Sequence, residues 1–247
     1  MGATAGDFDR DGDLDLYVTN FQRDYNTLFR NEGRLLFTDA TAAHGLSLPT
    51  LQYLGWGTHF LDANNDGALD LFVANGHIYP ELQDHSEIGE KYAQRVQLFL
   101  GDGGGGFTEV EVTAAAPERV GRGTAVADLD ADGALDVVVN NLDGAPDLYR
   151  GGRGGEWVRF QLTGVSSNRD GLGAVVILTA GGVRQMSELR LSDGYLGSNE
   201  PVVHFGLGRA TIVDEVVVRW PSGRDDRFQG LAAGRTYLLK EGVGCLP

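Results

Sequence analysis

The chain has 247 residues, of which 37 are glycine, and a formal net charge of −15. This length can bury one large core or two smaller ones. The excess of carboxylates repels nucleic-acid phosphates and anionic lipid, and no stretch approaches the ~18 apolar residues that span a bilayer as a helix. The sequence therefore argues against nucleic-acid binding and membrane insertion. Abundant glycine with few long apolar periodic stretches predicts an almost all-β chain.

Three nine-residue loops with one pattern of oxygen-bearing side chains organise the first 150 residues. Side-chain oxygens stand at positions 1, 3, 5 and 9, and glycine at position 6 permits the sharp turn that gathers them round one point. Loops 1, 2 and 3 run over residues 7–15, 62–70 and 128–136. Asp, Asn and Gly can also simply mark polar turns, but three copies in the same register favour metal binding.

The loop pattern is typical of calcium, which takes six to eight oxygen ligands at about 2.3–2.6 Å. Each loop can supply four side chains, the carbonyl oxygen of position 7 and water. We predict about three bound Ca²⁺ ions, with loop 2 the weakest site because Asn64 replaces one carboxylate. The predicted ligands are Asp7, Asp9, Asp11, Asp13 and Asp15; Asp62, Asn64, Asp66, Ala68 and Asp70; and Asp128, Asp130, Asp132, Ala134 and Asp136.

Each loop leads into a short strand and not into a helix. Position 12 holds Val18, Val73 and Val139, whereas a helix-loop-helix calcium site has a bidentate Glu there. Hairpins are predicted over residues 27–39 and 96–110, and the third repeat supplies one more strand at 147–150. Repeats of roughly 40 to 50 residues with about four strands each are typical of β-propeller blades.

The pattern changes after the glycine-rich residues 151–155, which we interpret as a hinge between two domains. We therefore predict propeller repeats over residues 1–150 and a second domain over residues 156–247. Alternation of polar and apolar residues in the second domain predicts a small antiparallel β-sandwich or barrel. Its predicted strands cover residues 157–162, 174–179, 184–191, 202–205, 215–220 and 236–239.

The repeats resemble the FG-GAP, or VCBS-type, repeats of integrin-like β-propellers. The second domain resembles the ASPIC/UnbV domain, because of motifs at residues 167–174, 194–196, 204–208 and 216–223. Together the two resemblances indicate the cartilage acidic protein-like family. They imply the calcium-ligand roles given above for the side chains at positions 1, 3, 5 and 9, and no catalytic residue.

About three repeats are fewer than the 4 to 8 blades that close a propeller. The resemblance therefore implies an N-terminally truncated member with a partial propeller, whose exposed strand edges a partner or the missing blades would cover. The alternative is that three blades wrap into a stable arc against the second domain.

Two functions are compatible with the sequence. The favoured one is a calcium-binding, non-enzymatic interaction or adhesion module, rigidified by Ca²⁺, that binds protein or glycan. The alternative is an enzyme of secondary metabolism acting at a cleft between the domains, although the sequence has no Gly-x-Ser-x-Gly, His-Glu-x-x-His or Walker motif. The glycines at 101, 103 and 106 match a dinucleotide-binding pattern, but a strand follows them where that pattern needs a helix, which favours a hairpin turn. Loops of this kind need roughly 0.1 to 1 mM calcium, which favours an extracellular or periplasmic location, although residues 1–6 lack the features of a signal peptide.

Overall fold

The computed structural model describes the chain except for residues 35, 113–115, 143, 153 and 247. In this part of the chain, 19 strands form five sheets, which confirms the predicted all-β fold class. Helical structure is limited there to the four-residue α1, Ser47–Thr50, and two 3₁₀ turns, Pro80–Asp84 and Ser86–Ile88. None of these helices is long and apolar enough to cross a membrane.

Three antiparallel sheets follow the three repeats and are called blades 1, 2 and 3. In each blade, the predicted metal loop joins the first strand to the second. Blade 1 contains β1 Ala3–Gly6, β2 Asp15–Val18, β3 Thr27–Asn31 and β4 Phe37–Asp39. Blade 2 contains β5 Gly55–Leu61, β6 Asp70–Asn75, β7 Gln97–Gly101 and β8 Phe107–Val110. Blade 3 contains β9 Gly121–Ala127, β10 Asp136–Asn141 and β11 Asp147–Tyr149.

The blades pack face to face through apolar side chains that alternate along their strands. Tyr17 and Leu28 of blade 1 share one buried cluster with Phe99 of blade 2. On the opposite face of blade 2, Phe72 packs with Val137 of blade 3. Blade 2 is therefore covered on both faces, while blades 1 and 3 form the two ends of an arc.

The first strands of the three blades lie side by side, with β5 in contact with β1 and β9. A glycine at residue 57 permits this approach, since a Cβ there would lie 2.3 Å from the hydroxyl oxygen of Thr124. The Gly-x-Gly-Thr sequence before loop 2 thus has a packing role.

The second domain is a sandwich of two four-stranded sheets around one core, which includes Phe160, Leu178 and Val216. One sheet has the order β15-β12-β18-β19 and the other β14-β13-β16-β17. The strands are β12 Glu156–Thr163, β13 Val175–Ala180, β14 Val183–Glu188, β15 Val203–Gly208, β16 Ile212–Arg219, β17 Asp225–Ala232, β18 Arg235–Lys240 and β19 Gly244–Leu246. The sheets were expected to be wholly antiparallel, but β12 and β18 pair in parallel.

The predicted strand over residues 184–191 ends early, at Glu188, and after Leu189, which still packs in the sandwich core, the chain leaves the sandwich. Residues 190–202, here called the crossing segment, run over the first strands of the blades. Gly194 and Ala3 exchange backbone hydrogen bonds of 2.8 and 3.4 Å, and the Glu200 N–H donates to the Val126 carbonyl at 3.1 Å. The second domain therefore packs against blades 1 and 3. This arrangement corresponds to the alternative interpretation, in which three blades wrap into an arc against the second domain.

The predicted hinge lies against loop 2. A Cβ on Gly154 would lie 2.0 Å from the Asn64 carbonyl oxygen, and one on Gly155 would lie 2.2 Å from that of Asn65. Arg153 is outside the described residues. Glycine is therefore required here for close approach of two backbones, and the domain boundaries remain predictions.

Candidate metal centres

The three loops share one backbone conformation. Glycine at position 6 has φ of 94°, 88° and 88° in loops 1, 2 and 3, as the turn requires. Position 4 is also left-handed, although it carries a side chain: φ is 62° at Arg10, 58° at Asn65 and 58° at Ala131. Such a conformation costs roughly 1 kcal/mol or more outside glycine. The loop is thus held in shape by contacts that offset this strain.

The carboxylate at position 1 provides one of these contacts. The N–H of the position-6 glycine donates to Asp7 at 3.2 Å, to Asp62 at 2.7 Å and to Asp128 at 3.0 Å. All three carboxylates are buried. Position 1 therefore ties the start of the loop to its turn.

The carboxylate at position 9 ties the loop to the rest of its blade. One oxygen accepts the N–H of position 2, at 3.2 Å for Asp15, 2.8 Å for Asp70 and 3.1 Å for Asp136. The other oxygen accepts a backbone N–H at the end of the third strand. These second bonds are Asn31 to Asp15 at 2.8 Å, Gly101 to Asp70 at 2.8 Å and Gly151 to Asp136 at 3.0 Å.

Positions 3 and 5 are closer to the surface. The N–H of position 7 donates to the position-5 carboxylate of Asp11 at 2.9 Å, of Asp66 at 2.8 Å and of Asp132 at 2.9 Å. At position 3, the N–H of Asp11 donates to Asp9 at 3.3 Å, and that of Asp66 donates to Asn64 at 3.0 Å. These bonds turn the chain back on itself and point its side-chain oxygens to one side.

Oxygen atoms converge most closely in loops 1 and 3. Asp7, Asp9 and Asp15 each offer an oxygen, all within 4.8 Å of one another. Asp128, Asp130 and Asp132 do the same in loop 3. Within the described residues, loop 2 does not form such a carboxylate group, since its position 3 is an amide.

One buried carboxylate oxygen in loop 1 is in a position that a cation would stabilise. Asp7 is only 5% exposed, and its buried Oδ1 atom has no hydrogen-bond partner among the residues that the structure describes. A buried carboxylate oxygen without a donor is costly unless a cation satisfies it. The donor set, all oxygen with several carboxylates, fits a hard divalent cation such as Ca²⁺.

Burial changes the acidity of the loop carboxylates. Desolvation raises the pKa of Asp7 to about 6, and it raises the pKa values of Asp15, Asp62 and Asp70 to about 7. Neighbouring carboxylates add to the rise in each case, while backbone N–H donors oppose it. A bound cation would hold these groups in the ionised form.

Two arginines that the motif does not include lie beside the loops. The Nε atom of Arg30 is 2.7 Å from Asp9 Oδ2, and its Nη2 atom is 3.7 Å from Asp11. The Nη1 atom of Arg150 is 2.7 Å from Asp130 Oδ2. A sequence signal exists, since both arginines occupy the same place in the repeat, one residue before Asn31 and Gly151.

The second domain also reaches the loops. Arg159 on β12 donates to Asp128 at 3.0 Å and makes a short contact with Glu200. His204 on β15 bonds to the side-chain oxygen of Asn65 at 2.8 Å. These contacts were not predicted, because nothing in the local sequence of a strand indicates its partner in another domain.

A cavity of about 140 Å³ lies between the blades and the second domain, at the place where the sequence suggested a cleft. Its lining includes Arg159, Glu200, Asp193 and His59. Arg159 is paired with Glu200, and Asp193 accepts the Thr4 hydroxyl at 2.7 Å. Burial lowers the pKa of His59 to about 4, so this imidazole is neutral at pH 7 and a weak base. The cavity is polar, and its charged residues Arg159, Glu200 and Asp193 already have protein partners.

Comparisons with known proteins agree with the sequence motifs. A family profile described as "FG-GAP-like repeat" matches residues 4–73 and 88–139, and one described as "ASPIC and UnbV" matches residues 164–245. Cartilage acidic protein 1 of Xenopus tropicalis is 26% identical to this chain over an alignment 235 positions long. The match covers 90% of this chain and 34% of that protein.

The proteins of the same name from Mus musculus and Homo sapiens are both 27% identical to this chain over alignments 256 positions long. Each of these matches covers 81% of this chain. These matches cover 38% of the mouse and 37% of the human protein, so the chain spans little more than a third of the curated relatives it matches. The resemblance drawn from the motifs is thereby confirmed. The chain carries FG-GAP-like repeats followed by an ASPIC and UnbV domain.

Proposed function

We propose that this chain is a calcium-binding, non-enzymatic interaction module. The observation that carries the proposal is the group formed by Asp7, Asp9 and Asp15, in which the buried Asp7 Oδ1 atom has no donor within the described part of the chain. FG-GAP-like repeats and similarity to cartilage acidic protein 1 support a module of this kind. This chain, with a net charge of −15, is acidic, as the name of these relatives says of them.

Calcium would supply the positive charge that the buried carboxylates lack. In each loop the side chains of positions 1, 3, 5 and 9 and the carbonyl of position 7 would hold the ion. Because position 9 is also bonded to the third strand, an ion held there would stiffen the whole blade. Rigid blades lose less conformational entropy when they bind a partner, which favours recognition of a protein or a glycan.

An extracellular or periplasmic location follows from the same chemistry. Sites built from a single loop bind calcium in the 10⁻⁴–10⁻³ M range when they resemble extracellular modules. Calcium at such concentrations is found outside the cytoplasm. We propose that the ends of the arc, on blades 1 and 3, meet a protein partner or further blades.

Titration of chelator-stripped protein should show about three sites and no comparable binding of magnesium, which demands a stricter octahedral geometry. If the dissociation constants are 0.1–1 mM, 10 mM calcium should stabilise the fold by about 1.4–2.7 kcal/mol per site. Calorimetric titration measures the binding, and thermal unfolding with calcium or chelator measures the stabilisation.

The test variant is Asp11→Asn, which removes one exposed charge from a predicted ligand of loop 1 and keeps the shape of the loop. This variant should weaken one site and leave the other two. Absence of calcium binding to the parent chain, or unchanged binding in the variant, would contradict the proposal.

Calcium affinity should also fall as the pH is lowered. Asp15, Asp62 and Asp70 have folded pKa values of about 7, raised from 3.8. Their contribution to the stability of the metal-free fold is thus fully present below pH 3.8 and is lost as the pH rises through about 7. Calcium must displace the bound protons, so affinity should drop by up to about tenfold per pH unit for each proton displaced, below pH 7.

Titrations at pH 6 and pH 8, each in two buffers of different ionisation enthalpy, measure this coupling. Proton release at pH 6 that disappears at pH 8 is the expected result. Equal affinity and no proton release at the two pH values would show that the loop carboxylates are not the ligands.

A further inference from the structure

The three loops differ at one neighbouring position that lies outside the ligand pattern. In each blade a backbone N–H at the end of the third strand bonds to the position-9 carboxylate, which aligns Asn31, Gly101 and Gly151. The residue before each of these is Arg30 in blade 1, Leu100 in blade 2 and Arg150 in blade 3. We call this place the flanking position.

Charge at the flanking position varies together with charge at position 3. Loops 1 and 3 have Asp9 and Asp130 at position 3 and an arginine at the flanking position. Loop 2 has Asn64 and Leu100 at these two places. Counting the side chains of positions 1, 3, 5 and 9 with the flanking residue, loops 1 and 3 hold four carboxylates and one guanidinium, and loop 2 holds three carboxylates. The net charge of these counted side chains is therefore −3 in each blade, and in blade 3 Arg159 adds a further guanidinium beside Asp128.

The arginines occupy oxygens that a metal would use. Asp9 Oδ1 accepts the Asp11 N–H at 3.3 Å, and Asp9 Oδ2 lies 2.7 Å from Arg30 Nε, so both oxygens already have a partner. Asp130 Oδ2 is held in the same way by Arg150 at 2.7 Å. In loop 2 the place of this ion pair is taken by a bond of 2.9 Å from the Asn64 amide to Asp66.

We propose that Arg30 and Arg150 are internal counter-cations that compete with Ca²⁺ for the position-3 carboxylates. They hold loops 1 and 3 in shape without metal, and a calcium ion has to displace them from Asp9 or Asp130 in order to bind. The carboxylate count alone makes loop 2 the weakest site. With the flanking charge included, loop 2 becomes comparable to the other two sites. This inference rests on the proposed calcium function.

The test exchanges the flanking residues between blades. Arg30→Leu gives loop 1 the flanking residue of loop 2, and Leu100→Arg makes the reverse exchange. Arg119→Leu is the matched control, because Arg119 is half exposed and faces Asp147, which is not a loop ligand. All three variants are made in the full chain. Calcium titration and thermal unfolding in chelator provide two independent readouts.

Arg30→Leu should tighten one calcium site by about three- to tenfold at low salt, because a positive charge is removed from beside a dication. Leu100→Arg should weaken one site by a similar factor, and 0.5 M KCl should reduce both effects. In chelator, Arg30→Leu should lower the unfolding temperature more than Arg119→Leu does, since it leaves Asp9 and Asp11 without a counter-charge.

To assign the affected site, position 5 is changed in the other two loops. With Asp66→Asn and Asp132→Asn as background, only loop 1 keeps its full ligand set, and the Arg30→Leu effect should be retained. If Arg30→Leu does not fold, Arg30→Gln repeats the test with a neutral side chain of similar length.

The possible failures are distinguishable. No calcium binding by the parent chain would overturn the proposed function and this inference with it. If the parent binds calcium but Arg30→Leu and Leu100→Arg both change affinity less than twofold, only the competition is wrong. Weaker binding by Arg30→Leu would show that the arginine positions Asp9 for the metal, which also overturns competition.

Discussion

Replacement of Arg159 with methionine should destabilise the chain by about 3–5 kcal/mol, the range measured when one partner of a buried ion pair is removed. The Arg159 side chain is 7% exposed and that of Asp128 is fully buried. Without the guanidinium, the Asp128 carboxylate keeps the backbone N–H donors of Asp132 and Gly133 but loses its only described ion-pair partner. The contact of Arg159 with Glu200 in the crossing segment is lost as well.

The same substitution at Arg227 is the control. Arg227 lies 3.4 Å from Glu215 in the same domain, but its side chain is 61% exposed. Exposed pairs contribute about 0–1 kcal/mol, so Arg227→Met should remain close to the parent. Urea unfolding of both variants measures the difference. Equal stability of the two variants would mean that the contact between the sandwich and loop 3 is not energetically important.

Calcium should reduce the loss caused by Arg159→Met. Asp128 is position 1 of loop 3, so an ion bound there would supply part of the positive charge that the variant lacks. The destabilisation measured in 10 mM calcium should therefore be smaller than that measured in chelator. An equal loss in both conditions would indicate that loop 3 does not bind calcium.

The repeats and the ligand pattern could be predicted because their information is local. Nine consecutive residues fix each loop, and glycine at position 6 adopts the left-handed conformation that the turn requires. Position 4 adopts it too, but Arg10 and Ala131 give no sign of this in the sequence. The strain there becomes visible only in the structure, since neighbouring carboxylates and strand ends hold the loop.

Interactions between distant segments could not be predicted. Arg30 and Arg159 read as ordinary strand residues, because their acidic partners lie 21 and 31 residues away along the chain. The strand β17, Asp225–Ala232, was missed because polar residues and Gly230 interrupt its alternation. Parallel pairing of β12 with β18 joins residues 77 positions apart, such as Val158 and Arg235, and the hydrophobic pattern alone does not define such a partner.

The two acidic positions of loop 2 should separate structural from metal-binding roles. Asp70 at position 9 is fully buried and accepts the N–H groups of Ala63 and Gly101, both at 2.8 Å. Asp70→Ala leaves these two donors without an acceptor and should destabilise the metal-free chain by about 2–4 kcal/mol. Asp66 at position 5 is exposed to solvent and accepts the backbone N–H of Ala68 at 2.8 Å and the side-chain N–H of Asn64 at 2.9 Å. Asp66→Ala should therefore cost less than about 1 kcal/mol in chelator.

With calcium present the two variants should behave alike at this site, because each removes one ligand of loop 2. Both should lose one bound ion in a calorimetric titration, whereas only Asp70→Ala should unfold earlier in urea without metal. This difference follows from position 9 serving as both a ligand and the link between loop and blade. Equal destabilisation of the metal-free chain by the two variants would contradict that dual role, since it would make the exposed turn as important to the blade as the buried carboxylate.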